Sequence, residues 1–271
     1  MNDDASTMRH ALYELCVQST KHLVPFLRAV HQNAPTTLGE DFAGTAALSH
    51  RWVNHVEGGS AVAVDLDGDA LRHRGEHERI ESVQGDVLAC SLPADVLFVG
   101  NFSIGYLHTR ADLVTYLRHA LSRLRPGGIF VCDTYGGESA FLIGEVHRDH
   151  YITGDDLPEA LIPHLGKRVR YTWEQREADP LTARVTDVCS FRVVDGRGTI
   201  EHELPDAFVY RWRLWSIPEI REALDEAGYA SVEVYDKTAE AIDQDGNAYV
   251  RPVEDGSELD DSFIVMVVGR A

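Results

Sequence analysis

The residues whose types and spacing could do chemistry begin with an acidic pair, a tight turn of small residues and a later aspartate. Glu40 and Asp41 end a run from Thr37 that reads as a strand, and Phe42-Ala43-Gly44-Thr45-Ala46 then turns at once into a helix. The N–H groups of Gly44, Thr45 and Ala46 fall at that helix's N-terminus, where positive partial charge favours a carboxylate or another anion. A second strand, Ser60–Val64, ends in Asp65, 21 residues after Gly44. That is close to the spacing of about 20 residues in nucleotide-binding βαβ units. A carboxylate at such a strand end offers acceptor sites to ribose hydroxyls, whereas Asp67 and Asp69 suit the cap of the next helix. The order points to a site for an adenosine-containing cofactor.

Two further segments carry polar groups at expected strand ends. Gly85-Asp86-Val87 closes a third strand, and Asn101-Phe102-Ser103-Ile104-Gly105-Tyr106-Leu107-His108 follows a fourth. Open α/β sheets place their ligands at this carboxyl edge, so the second segment is where a substrate's reacting atom belongs. His108 is the candidate general base, because an unperturbed imidazole titrates near neutral pH. Tyr106 and Tyr135 are candidates to orient the substrate. Cys16, Cys90, Cys132 and Cys189 are far apart and form no C-x-x-C pair, so no metal site is expected and four reduced thiols suffice.

The elements that must position these residues can be read from apolar periodicity. Two N-terminal helices are expected before residue 36, separated near Pro25. Strands to Asp41, at 60–65, 80–84 and 95–100 alternate with helices from Thr45 and at 68–78, which implies a parallel sheet with helices on both faces. Leu113, Tyr116, Leu117, Ala120, Leu121 and Leu124 make one face of a helix capped by Thr109 and Asp112, and Pro126-Gly127-Gly128 stops it before a buried strand Ile129–Cys132. From Val169 the period changes to two, through Tyr171 and Trp173, Val185–Val194, then Phe208, Tyr210 and Trp212, which predicts a three-stranded antiparallel insertion. A helix Ile217–Ala227, boxed by Ser216 and Glu219 and stopped by Gly228, precedes strands at 231–236 and 262–269.

The chain has 271 residues, 44% hydrophobic and 25% charged, the profile of a globular protein able to bury a full core. Its formal net charge of −19, with no Lys/Arg run, argues against nucleic acid as a partner and would draw in a cation such as an amine. The acidic start and the lack of any long apolar stretch predict a cytoplasmic protein without a membrane partner.

Taken together, these residues resemble class I S-adenosylmethionine-dependent methyltransferases, over about 36–137 and, less closely, 211–271. Glu40-x-Phe42-x-Gly44-x-Ala46 is similar to that family's glycine-rich first motif, Asp65 to its ribose-binding acid, Gly85-Asp86-Val87 to its adenine-contacting motif, and Leu124-Arg125-Pro126-Gly127-Gly128 to its turn before the fifth strand. The resemblance implies a Rossmann-like, doubly wound α/β fold with S-adenosyl-L-methionine as cofactor. It implies cofactor contacts from Glu40, Phe42, Gly44, Thr45, Ala46, Asp65, Leu66, Asp86, Val87 and Asn101, and from Tyr13 on an N-terminal helix that closes over the site. It is nearest to small-molecule N-methyltransferases acting on amino sugars, which implies a small-molecule acceptor with nitrogen preferred over oxygen or carbon, and His108, Tyr106 and Tyr135 on the acceptor side. The expected organisation is a helical cap over 1–35, a cofactor-binding core from 36–140 and 211–271, and an insertion over 141–210 that builds the substrate site or a homodimer contact. Where the family has glycine, this chain has Phe42 and Ala46, which leaves Gly44 as the position free to take φ > 0. From that departure follows one alternative, a cofactor-binding protein without transfer activity. The shared strand, turn, helix and acid leave a second, an NAD(P)-dependent oxidoreductase.

Overall fold

Alternation along each central strand decides the architecture. The structure is a computed structural model describing residues 3–18, 20–154, 157–237, 239, 241–243 and 248–271. In chain order its elements are α1 (Asp3–Cys16), α2 (Leu23–His31), β1 (Thr37–Asp41), α3 (Ala47–His55), β2 (Ser60–Asp65), α4 (Gly68–Leu71), β3 (Ile80–Gln84), β4 (Ala94–Val99), α5 (Arg110–Arg123), β5 (Leu124–Gly137), β6 (Gly144–Tyr151), β7 (Arg168–Asp179), β8 (Arg184–Val194), β9 (Ile200–Arg213), α6 (Ile217–Ala227), β10 (Ser231–Asp236), β11 (Ala241–Ile242), β12 (Ala248–Tyr249) and β13 (Ser262–Arg270). Short 3-10 turns at Val87–Ala89 and Ser103–Tyr106 follow β3 and β4. Two compact units result, Thr20–Ala140 with Leu214–Ala271, and Met1–Ser19 with Phe141–Arg213.

The larger unit is a seven-stranded sheet in the order β10-β13-β5-β4-β1-β2-β3. β1 to β5 pair in parallel, and β13 runs antiparallel between β5 and β10. Leu97 and Val99 of β4, Phe130 and Cys132 of β5, and Val265 and Val267 of β13 lie in one buried cluster with α5 and α6. Their strand neighbours Val96, Phe98, Ile129, Val131, Met266 and Val268 lie in a second cluster with α2 and α3. A sheet buried on both faces needs strands that are apolar at every position, and that is how these strands read. This is the doubly wound, mostly parallel Rossmann-like arrangement the sequence predicts. The reciprocal Ser216 and Glu219 capping box starts α6, and Gly228 at φ 105° ends it. The helix expected over 68–78 is only one turn, Gly68–Leu71, because Arg72 ends it and Gly75 turns left-handed at φ 77°.

The smaller unit is a four-stranded antiparallel sheet in the order β6-β7-β8-β9. It has one strand more than the sequence suggests. β6 reads Gly-Glu-Val-His-Arg-Asp-His-Tyr and is exposed along nearly its whole length, so it lacks the alternation that marks a half-buried strand. Within the first 35 residues, α1 and α2 fall in different units. Ala11, Leu12 and Cys16 of α1 share a cluster with Ile152, Leu161, Val169, Tyr171, Cys189, Phe191 and Val193, whereas Val24, Phe26, Leu27 and Val30 of α2 belong to the large sheet. The apolar faces of the two helices are therefore buried by different sheets.

Candidate functional site

The turn after β1 differs from its expected form in an instructive way. Phe42, Gly44 and Ala46 all take the left-handed conformation, at φ 57°, 55° and 54°. Each such residue with a Cβ costs roughly 1–2 kcal/mol, so the turn's shape is kept where glycine is not. Gly44 is thus not the sole left-handed position. Two contacts hold the shape: Ala43 N–H donates to Val64 O at 2.9 Å, and Gly44 N–H donates to Asp65 Oδ2 at 2.7 Å. Ala46 N–H donates to Ala43 O at 2.9 Å. The Gly44 amide is therefore already taken by the Asp65 carboxylate and the Ala46 amide by the Ala43 carbonyl, so neither is turned toward an added anion.

Asp65 stands at the end of β2 with both oxygens engaged, Oδ2 by Gly44 and Oδ1 by the Asp67 N–H at 2.8 Å. Four lone-pair sites on a carboxylate leave it capacity for further donors. Burial raises its pKa, against the amide bonds that favour its charge. Asp67 caps α4 by accepting from the Asp69 and Ala70 amides. Leu66, directly after Asp65, is 73% exposed, and Leu88 is 42% exposed after β3. Asp86 is exposed, its Oδ1 accepting the Leu88 N–H at 2.9 Å, and Val87 beside it is buried.

Glu40 and Asp41 point to opposite sides of β1, as successive strand residues must. Glu40 Oε2 accepts the Ser49 N–H at 2.8 Å and the Ser49 hydroxyl at 2.7 Å, which ties the strand end to α3. Burial pushes its carboxyl up to about 7, with the Ser49 bonds acting the other way. Asp41 takes Arg123 Nη1 at 3.0 and 2.8 Å and the Tyr116 hydroxyl at 2.8 Å, all fully buried. Burial disfavours the Arg123 charge but Asp41 outweighs it, and the Tyr116 hydroxyl is pushed well up by burial and by Asp41. Arg123 Nε donates to Leu92 O at 3.2 Å, and its Nη2 has no hydrogen-bond partner among the described residues.

At the end of β4, Asn101 and Phe102 are consecutive left-handed residues, at φ 53° and 63°. The Asp133 carboxylate on β5 accepts both of their amides, Oδ2 from Asn101 at 2.9 Å and Oδ1 from Phe102 at 2.7 Å. Charge-assisted bonds of this kind contribute about 1.5–3 kcal/mol each, enough to offset the strain. Burial pushes the Asp133 carboxyl up to about 6. The Phe102 ring meets Tyr135 edge-on at 4.9 Å between centroids. The 3-10 turn that follows carries Tyr106, 46% exposed, whose ring stacks on Phe42 at 6.1 Å; Phe42 in turn meets Tyr116 edge-on at 5.9 Å. His108 is partly buried just past the turn.

The structure therefore brings Glu40, Phe42, Gly44, Thr45, Ala46, Asp65, Leu66, Asp86, Val87, Asn101, Tyr106, His108 and Tyr135 to the carboxyl ends of β1 to β5 or the segments directly following them. Tyr13 belongs to the smaller unit, where its ring packs on Phe208 at 4.6 Å and nears Tyr210 at 6.5 Å. Tyr210 stacks on Trp212 at 4.3 Å, while Tyr171 and Phe191 are buried and stack at 5.6 Å, so these aromatics pack within their own sheet. His164, Glu201 and His202 also meet there, with ligand-type atoms within 4.8 Å. The Lys167 ammonium already lies against Glu201 and His164, so this group is an ion-pair staple. A cavity of about 100 Å³ bordered by Phe26, Tyr235, Arg251 and Glu258 involves none of the candidate residues. Sequence reasoning missed Asp41, Tyr116 and Arg123 as a network, Ser49, Leu88 and the Asp133 clamp. A signal for the first existed: Arg123 falls on the apolar stripe of α5, seven residues after Tyr116 and three after Ala120.

No protein-family model and no curated protein matches the chain. Solved structures do. The chain is similar to an S-adenosylmethionine-dependent methyltransferase from Clostridium acetobutylicum ATCC 824, at 16% identity and a TM-score of 0.59, covering 96% of each chain. It is similar to the sugar N-methyltransferase KedS8 from Streptoalloteichus sp ATCC 53650, at 17% identity and a TM-score of 0.60, over 96% of this chain and 90% of that one. It is also similar to DesVI of Streptomyces venezuelae, at 18% identity and a TM-score of 0.63, over 93% and 90% of the two chains. At such identities the likeness establishes the fold.

Proposed function

We propose that this chain transfers a methyl group from S-adenosyl-L-methionine to a small-molecule acceptor, preferentially at nitrogen. The observation that carries the reading is the pair of strand ends at β2 and β3: Asp65, a carboxylate with acceptor capacity left, the exposed Leu66 directly after it, and the exposed Leu88 in the turn after the neighbouring strand. A ribose needs the first and the faces of a purine the second. Asp65 would accept from the ribose hydroxyls. Asp86, exposed and with its Oδ1 taken by the Leu88 N–H, would accept from the exocyclic amine, with the Val87 N–H directed to the ring. Glu40, Phe42, Thr45, Ala46 and Asn101 would border the rest of the cofactor along the strand ends.

When bound, S-adenosylmethionine supplies an electrophilic methyl on a sulfonium, so the protein's main task is to hold an acceptor lone pair in line with it. Tyr106 and Tyr135 would orient the acceptor from the segments after β4 and from β5. His108 would take the proton that the amine sheds as the new N–C bond forms. The nitrogen preference is supported by the sugar N-methyltransferase KedS8 among the structures of like fold and by the net charge of −19, which attracts cationic amines. On this reading a homodimer contact falls to the smaller unit, and the protein works in the cytoplasm.

Calorimetric titration with S-adenosylhomocysteine, NAD and NADP tests the cofactor. Binding of the first alone supports the reading, and binding of NAD with no response to the homocysteine compound overturns it in favour of an oxidoreductase. Incubation with S-adenosylmethionine and a panel of amines, amino sugars and phenols, read as S-adenosylhomocysteine release, tests the transfer. Cofactor binding without release across the panel would favour a non-catalytic binder.

A further inference from the structure

We propose that Asp133 is a positioning residue for the acceptor side of the site, its carboxylate holding Asn101 and Phe102 left-handed so that the turn carrying Tyr106 is set before any ligand arrives. The inference deepens the methyl-transfer reading and rests on it. A two-residue left-handed step at non-glycine positions persists only where its surroundings over-determine it, and here one carboxylate takes both amides in turn, at 2.9 and 2.7 Å. Phe102 is the residue on which the 3-10 turn Ser103–Tyr106 begins, so its backbone angles aim that turn. Ile104, 2% exposed, anchors the turn in the core, which leaves Tyr106 to project onto Phe42. Tyr135, two residues after Asp133 and hence on the same side of β5, packs its ring against Phe102. One buried carboxylate thus fixes the backbone beneath Asn101, Tyr106 and Tyr135 together. It has no role in methyl transfer itself, lying 4% exposed beneath the turn.

Asp133→Asn tests this, because the carboxamide keeps the size but presents an acceptor to only one of the two amides. Amide hydrogen exchange is followed at Asn101 and Phe102, with Ala61 in the β2 ladder as control. The variant should exchange at least about tenfold faster at one or both of 101 and 102 with Ala61 unchanged, the effect of losing one such hydrogen bond. With the acceptor found in the panel, kcat should fall by about 100-fold, the cost of small misplacement, while S-adenosylhomocysteine affinity, reached only through Asn101 at the cofactor's border, falls by no more than about tenfold. A merely structural role would lower both together or neither.

If the variant does not fold, the wild-type protein answers instead. Exchange corrected for intrinsic rate should rise at Asn101 and Phe102, not at Ala61, between pH 7.5 and 5, as Asp133 takes up a proton. Lys237 beyond β10 acts on that carboxylate and holds its pKa down, and Cys132 on the same strand stays a neutral thiol through burial. Unchanged exchange at both amides, in the variant or across that pH range, overturns the clamp. Faster exchange with unchanged kcat overturns its role in positioning. Absence of homocysteine-compound binding by the wild-type protein would overturn the methyl-transfer reading alone, with the exchange data still deciding the clamp.

Discussion

Replacing Glu40 by Gln should remove a specific pH dependence of stability. Glu40 is 3% exposed, and burial pushes its carboxyl from 4.5 to about 7 although Ser49 donates twice to it. The folded state therefore binds this proton more tightly than the unfolded chain does. The associated stability is full below pH 4.5 and is lost as pH rises through 7. At about 1.4 kcal/mol per pH unit of separation, wild-type protein should lose about 2–3 kcal/mol from this group between pH 5 and pH 8. Gln keeps an oxygen for Ser49 and never ionises. His31, His150 and His164 work in the opposite sense, since burial lowers their pKa values and their stabilisation grows as pH rises. The wild-type curve mixes these contributions, so the informative quantity is the difference between wild type and Glu40→Gln. Urea unfolding at pH 5, 6, 7 and 8 should show the variant close to wild type at the acid end and more stable by about 2–3 kcal/mol at pH 8. Parallel curves across that range would refute the reasoning and mean that the Glu40 carboxyl ionises as it would in water.

Arg123→Met should destabilise the larger unit by about 3–5 kcal/mol, because Asp41 would be left buried and unpaired; a loss under about 1 kcal/mol in denaturant titration would mean the pair is not buried as described. Asp65→Ala should weaken S-adenosylhomocysteine binding by about 1–3 kcal/mol, read by calorimetry, and unchanged affinity would place the ribose elsewhere. Ser216→Ala removes the side chain that caps α6 and should cost about 1 kcal/mol in thermal unfolding, with no change in cofactor affinity.

Much of the large unit was legible because its strands and helices obey one period each. The near-continuous apolar runs at Val96–Val99 and Ile129–Cys132 could only be strands covered on both faces, and the Thr109 and Ser216 caps fixed where α5 and α6 begin. The strand-end aspartate was legible from its spacing. Partners across long separations were not. Nothing local to Asp133 says that it meets amides 31 and 32 residues earlier, nor to Arg123 that it meets Asp41, 82 residues away. The left-handed Phe42 and Ala46 were missed because residue type argues against that conformation, and only the surrounding hydrogen bonds impose it. β6 was missed because an exposed polar strand carries no periodic signal.

The smaller unit is assembled from two stretches of chain, one ending at Ser19 and the other starting at Phe141. During synthesis, Ala11, Leu12 and Cys16 have no sheet to cover them until about 180 further residues, through the end of β8, have been made, a wait of roughly 9–36 s at ordinary elongation rates. A fourteen-residue segment on its own is marginally helical in water, so α1 is completed late, by docking. Refolding from denaturant should accordingly show β7 and β8 protected before α1, and chaperone dependence should concentrate on that interval.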